Sequence, residues 1–353
     1  MASRSRVTCR RSATGRGTMS ISAVAREAGV STSTVSRFLK GQLRLSPETE
    51  TRIRTAMGVT GFEAPRSTVQ HVALVIPELS NPYFAQLTQA ITDAAHHRDL
   101  EVSVLVSDGL ESREQKIVTA CSPGRGLGAD AILFVSMTGS GALLADVPDD
   151  FPFVVIDEKL DGPLAAARPF VGADNFEGAY QATTFLLSRG HRRIAHLAGP
   201  GRLGSARDRL RGHLRALRDA GVDVDPHLVL EGTYSESFGA SALSRVLRLE
   251  DPPTAVFAAS DIVAVGLAAA APMHGLRIPE DLSLIGFDGI EQGAWVTPRL
   301  STVVQPLAEI ARQALDLLAA DAAEAADAQS TPRLLPMELK IAESVGANPA
   351  SRA

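Results

Sequence analysis

From Val69 onward the chain repeats one pattern twice: short runs of apolar, largely β-branched residues alternate with longer stretches whose apolar residues recur at helical spacing. His71 to Ile76, Glu101 to Val106, Ala131 to Val135 and Phe153 to Ile156 read as strands, with helices near Tyr83 to His97 and Ser112 to Cys121 between them. A second series starts at Val171, with strands near Ile194 to Leu197, Val229 to Leu230, Ala255 to Phe257 and Ser283 to Ile285 and four more helices. Such alternation predicts an α/β protein whose parallel sheets are covered by helices on both faces. At 353 residues the chain is too long for one common-sized core. Two doubly wound lobes are therefore expected.

Two such lobes place a cleft between the carboxyl ends of their strands, where small ligands bind. Strand one ends in Pro77-Glu78-Leu79-Ser80-Asn81-Pro82-Tyr83-Phe84, strand four in Asp157, and later strands in Ser260-Asp261 and Gly286-Phe287-Asp288-Gly289. Carboxylates, a hydroxyl and aromatic rings converging there suit a ligand with several hydroxyl or N–H groups. An Asp after a strand is also a common helix cap, and that reading applies to Asp157 and Asp261.

The segment before Val69 is different in character. Through Phe62, eleven Lys and Arg oppose three Glu for a charge of +8, so the remainder carries −13 within the net −5. A basic head on an acidic body is the footprint of a nucleic-acid-binding module joined to a unit with another task. Ser20 precedes a run that places Val24, Ala25 and Ala28 on one face, and Gly29 breaks it. Ser31 can cap a second helix, Thr32 to Lys40, with Val35 and Leu39 facing the first. Ser46 and Pro47 open a third, in which Ile53 and Met57 are the buried side. Helix, tight turn, helix presents the second helix to a major groove. The expected DNA-contacting residues are Ser31, Thr32, Ser33, Thr34 and Ser36, whose short hydroxyls reach base edges, with Arg37 and Lys40 for phosphates.

Ile21-Ser22-Ala23-Val24-Ala25, Ala28-Gly29-Val30-Ser31 and Thr34-Val35-Ser36-Arg37 closely resemble the opening of the lactose/galactose repressor (LacI/GalR) family of bacterial transcription regulators. The body resembles the same family's periplasmic-binding-protein-like sensor. Leu79 to Phe84, Val171 to Asn175, Gly190 to Ala195, Arg207 to Gly212, Pro279 to Asp288 and Thr302 to Leu307 match it in order and spacing. The resemblance implies that Arg209 and Asp288 hold an effector with Tyr83, Phe84 and Tyr234 near it, and that Ser260 takes the place of a common Asn. Asn81 and Gln305, inside matched segments, join Asp157 and Asp261 to complete the expected effector-binding set. Two departures stand out. Gly289 replaces the family's usual second acidic or amide residue. The stretch Gly61 to Gln70 also lacks the leucine that the family's hinge segment wedges into the minor groove, so a kink of the DNA is not expected.

The expected organisation is thus a disordered basic tail at 1–18, a helix-turn-helix at 19–62, a short linker without the hinge motif at 63–70, and a two-lobed body at 71–345. Lobe 1 is expected at about 71–165 and 295–325, and lobe 2 at about 166–292 and 330–345. The expected partners are operator DNA, a small polar effector and a second copy of the chain.

Other classes fit less well. Gly199-Pro200-Gly201-Arg202-Leu203-Gly204 has the glycine spacing of a dinucleotide fingerprint, but no acid follows at the end of a second strand. His96, His97, His191 and His196 show neither metal-ligand spacing nor a Gly-flanked nucleophile, so neither a hydrolase nor a metal site is expected. No cofactor is implied. Cys9 and Cys121 are too few for a disulfide framework, which points to a reducing cytoplasm. The longest apolar run, Ile262 to Ala271, is about half the length of a membrane span. A transport-type binding protein would share the body but not the basic head.

Overall fold

The computed structural model describes residues 20–39, 43, 45–60, 62, 69–122, 126–149, 151–319 and 332–349. The tail at 1–18, Lys40 and linker residues 63–68 lie outside them. The chain forms two compact units that divide between Ser67 and Thr68.

The first unit is three helices, α1 (Ile21–Ala28), α2 (Thr32–Leu39) and α3 (Pro47–Thr60). The Ser20 hydroxyl accepts from the Ala23 amide at 3.3 Å, and Gly29, at φ 66°, ends α1 in a left-handed turn that a side chain would strain. Val24, Ala25 and Ala28 of α1 then pack against Val35 of α2, Ile53 and Ala56 of α3, and Phe62. The helical spacing seen in the sequence is this small core.

The second unit contains two six-stranded sheets. The first holds β1 (His71–Ile76), β2 (Glu101–Val106), β3 (Ala131–Phe134), β4 (Phe153–Ile156), β5 (Phe170–Ala173) and a late strand, β11 (Arg333–Leu335), in the order β11-β5-β4-β3-β1-β2. The second holds β6 (Ile194–Ala198), β7 (Val229–Glu231), β8 (Ala255–Ala258), β9 (Ser283–Asp288), β10 (Ser301–Val304) and β12 (Glu338–Lys340), in the order β12-β10-β9-β8-β6-β7. Every pairing is parallel except β10 with β12. The covering helices are α4 (Pro82–His96), α5 (Glu111–Cys121), α6 (Pro163–Ala166), α7 (Asn175–Ser188), α8 (Gly204–Asp219), α9 (Glu236–Val246), α10 (Asp261–Ala270) and α11 (Leu307–Ala319).

The strand pairing redraws the expected lobe boundaries. β5, expected to open lobe 2, pairs with β4 through Val155↔Phe170 and Ile156↔Val171 and so belongs to the first sheet. β10, expected in lobe 1, pairs with β9 in the second sheet, and β11, expected in lobe 2, pairs with β5 in the first. The chain therefore passes between the lobes after β5, after β10 and between β11 and β12. Apolar periodicity identifies a strand but not the sheet it joins, because the inner strands of both sheets are buried on two faces and read alike, and the edge strand β11 is too short and exposed to carry a pattern of its own. α11 follows β10 yet returns to lobe 1, where Ile310, Ala314 and Leu318 are buried in the core. That apolar face fills the protein interior.

Candidate operator-binding head and effector cleft

In the head, Ser31, Thr32, Ser33 and Arg37 are exposed, and Thr34 and Ser36 are half-buried. The Ser31 hydroxyl sits 2.8 Å from that of Ser33 and 2.7 Å from that of Thr34, and accepts from the Thr34 amide at 3.0 Å. Ser31 is thus spent on starting α2, while Thr32 is exposed beside it. The Arg37 Nε donates to the Ser33 carbonyl at 3.4 Å, which lays the guanidinium along the helix beside the hydroxyl cluster. The turn is braced by Arg52 of α3, which donates to the Ala28 carbonyl.

In the body, one cavity is lined by Asn81, Tyr83, Phe84, Met137, Asp157 and Glu158 from lobe 1 and by Leu203, Ser205, Arg209, Tyr234, Ser260 and Asp288 from lobe 2. Its centre is Arg209, on α8 and 4% exposed. Its Nε donates to Asn175 Oδ1 at 2.8 Å, and its Nη1 donates to the Ala259 carbonyl and, at 3.2 Å, to Asp288. The guanidinium lies 3.9 Å above the Phe287 ring and 5.7 Å from that of Tyr234. Asp288 also accepts from the Ser260 hydroxyl at 2.7 Å and the Gln305 amide at 3.0 Å, and Gln305 in turn accepts from the Tyr83 hydroxyl at 3.2 Å. Two of the cleft carboxylates adopt backbone angles that L residues avoid, φ 67° at Asp157 and φ 114° at Asp288. Strain of this kind is held in place by the surrounding structure and gathers at functional sites.

Among the described residues, Asp157 Oδ1 and the Tyr234 hydroxyl are buried without a hydrogen-bond partner. Tyr234 lies across the end of β6, so close that a Cβ on Gly199 would fall 2.2 Å from its hydroxyl. Only glycine leaves that space. Burial pushes the Asp157 and Asp288 carboxyls above their ordinary values, with Arg209 pulling both back, and raises the Tyr234 hydroxyl to about 12.

Eight of the ten expected effector residues thus line one cavity. Two do not. Asp261 is fully buried, and its carboxylate accepts from the amides of Gly289 and Ile290 at 2.7 and 2.9 Å and from the Thr302 hydroxyl at 2.7 Å. It fixes the turn that carries Asp288, and burial beside Asp288 pushes it up to about 8. Gln305 stands behind Asp288 and Tyr83. Met137, Glu158, Leu203 and Ser205 line the cavity without having been expected. Glu158 follows Asp157 at a strand end, the one signal that could have marked it.

The glycine-rich turn at 199–204 holds no nucleotide cradle. The Gly201 amide donates to Glu231 at 2.7 Å, and the Gly204 and Ser205 amides at the start of α8 donate to Glu158 at 2.6 and 3.2 Å. Carboxylates of the chain itself occupy the donors that a pyrophosphate would need.

Residues 20–64 match the family described as bacterial regulatory proteins, lacI family, and residues 183–345 match a periplasmic binding protein-like domain. The chain is 32% identical over 342 residues to the HTH-type transcriptional repressor CytR of Escherichia coli, which covers 92% of this chain and 96% of that protein. This chain belongs to the LacI family. It is also 30% identical to the HTH-type transcriptional regulator DegA of Bacillus subtilis over 81% of this chain and 86% of that one. Among solved structures, a complex of the transcriptional regulator CelR with cellobiose aligns with a TM-score of 0.67 at 27% identity, covering 92% of this chain and 99% of that one. A LacI-family regulator of Mycobacterium smegmatis aligns with a TM-score of 0.68 at 28% identity over 78% and 99%. The protein is a LacI-family DNA-binding transcriptional repressor, not an enzyme. No described helix is long and apolar enough to cross a membrane.

Proposed function

We propose that this repressor's affinity for its operator is set by a small, polar, sugar-like effector held between the two lobes, and that it works in the cytoplasm as a homodimer on a roughly palindromic operator. The observation that carries the reading is the pairing of two buried oxygens without a partner among the described residues, Asp157 Oδ1, whose carboxyl also neighbours the Tyr83 hydroxyl, and the Tyr234 hydroxyl, with the Arg209–Asp288 network in one wall. A ligand hydroxyl can donate to the first and accept from the second, while the rings of Tyr83 and Phe84 offer apolar faces. The complex of CelR with cellobiose supports a sugar in the related cleft.

The cavity measures about 20 Å³, on the order of one water molecule. A sugar enters only if the lobes part, so its binding is coupled to lobe movement. The homodimer follows from the head: one small helix-turn-helix buries too little DNA for useful affinity, and two double the contacts.

A thermal-shift screen of the full chain against sugars and nucleobases tests the reading. A member that raises the melting temperature of the wild-type protein and not of Asp288→Ala supports it. Equal shifts in both proteins place the binding elsewhere.

A further inference from the structure

We propose that the effector is uncharged, and that Glu158 is the residue that keeps anionic ligands out of the cleft. This rests on the effector site proposed above and names its charge class.

The cavity wall carries three carboxylates, Asp157, Glu158 and Asp288, against one cation, Arg209. Two of its three nitrogens are already engaged within the protein. Its Nε and Nη1 donate to Asn175, Ala259 and Asp288, and its face rests on Phe287. Two nearby arginines stay outside the cavity lining and are exposed: Arg202 donates to the Met137 carbonyl at 3.0 Å, and Arg207 to the carbonyls of Gly201 and Arg202 at 3.1 and 2.7 Å.

The first amides of a helix are where a phosphate or carboxylate ligand would settle. At α8 they face the cavity and are filled from across the cleft. The Glu158 side chain, 2% exposed, accepts from the Gly204 amide, the Ser205 amide and the Ser205 hydroxyl. An anionic ligand would have to displace this carboxylate and then lie beside it and Asp157, where like charges repel strongly in a partly dry site. A neutral ligand meets no such cost. The charged or polar groups facing Glu158 are Asp157 beside it, Tyr234 from lobe 2, and Ser205 on α8. Burial pushes the Glu158 carboxyl up to about 7, so it is ionised at pH 8.

The test compares full-length wild-type protein with Glu158→Gln and with Glu158→Asp, which keeps the charge, at pH 8 and matched ionic strength. The probes are ribose, glucose, cellobiose and the four ribonucleosides, each beside its monophosphate, and orthophosphate alone. Wild-type and Glu158→Asp are expected to bind a neutral member at least tenfold more tightly than its monophosphate and to show no saturable response to orthophosphate. Glu158→Gln is expected to narrow that ratio at least tenfold or to gain an orthophosphate response. A monophosphate bound by wild-type as tightly as its parent, or saturable orthophosphate binding equal in wild-type and Glu158→Gln, overturns the proposal. Discrimination unchanged in Glu158→Gln overturns the assignment to Glu158. A panel in which neither series binds counts against the sugar-like reading, and the orthophosphate titration then decides the question of charge.

Discussion

Arg209 and Asp288 form an ion pair at 3.2 Å with side chains only 4% and 5% exposed. Each charge has further partners, so the pair is a junction joining α7, α8, β9 and the segment after β10. Removing one partner of such a pair leaves the other buried and uncompensated, at a cost of about 3–5 kcal/mol. Asp288→Asn keeps an acceptor for Ser260 and should lose somewhat less, while ending the response to effector. Calorimetry with and without ligand checks both. A ligand shift that survives the substitution contradicts the site.

Glu158 gives stability an unusual pH dependence. Burial raises its carboxyl from 4.5 to about 7 in the folded state. A raised value means that its favourable contribution is complete below 4.5 and is lost as pH climbs through 7. The loss is on the order of 3 kcal/mol. Glu158→Gln should therefore gain on wild-type between pH 5 and pH 8 by about 2–3 kcal/mol, read from urea unfolding at each pH. A difference that does not move with pH contradicts the placement of this carboxyl.

Histidines in lobe 2 act in the opposite sense. His196 stacks on His213 at 4.9 Å and on Phe257 at 4.7 Å, and burial lowers it to about 4. A neutral buried histidine contributes stability above its ordinary 6.5 that is lost as pH falls toward 4, by about 3 kcal/mol. His196→Phe keeps the stacking ring and should flatten the acid limb of the stability curve between pH 6.5 and 4. An unchanged acid limb would show that His196 does not carry it.

Arg37 lies exposed on α2 beside the serine and threonine hydroxyls. Arg37→Ala should weaken binding to all DNA sequences alike and reduce the salt slope of log K by about 1. Replacing Thr32 or Ser33 should instead alter the preferred bases. Selection from random DNA, repeated for each variant, separates the two. A change of preferred operator in Arg37→Ala reverses the assignment.

Much of this was legible in the sequence, for physical reasons. Ser20, Gly29 and the spacing of Val24, Ala28 and Val35 are local signals, and the head's helices follow them. Eight of the twelve described strands, β1 to β4 and β6 to β9, also announced themselves, most of them as buried apolar runs, whereas β10, β11 and β12 did not. Nor was it legible which sheet received β5, β10 and β11, since partner choice depends on residues far away in the chain. The cleft shows the same division. Asp157 and Asp288 stood out as acids at strand ends, but nothing local separates Asp288, which faces the cavity, from Asp261, whose lone pairs are spent on Gly289, Ile290 and Thr302. Glu158 escaped because its meaning lies in α8, which reaches it from the other lobe.

The most direct test of the account is the affinity of the full chain for an operator selected from random DNA, measured by fluorescence anisotropy with and without a ligand found in the screen, for wild-type protein and Asp288→Asn. The account predicts that the ligand changes the wild-type Kd at least tenfold, and that Asp288→Asn binds the same operator with a Kd the ligand leaves unchanged. A wild-type Kd indifferent to every ligand that occupies the cleft would contradict it.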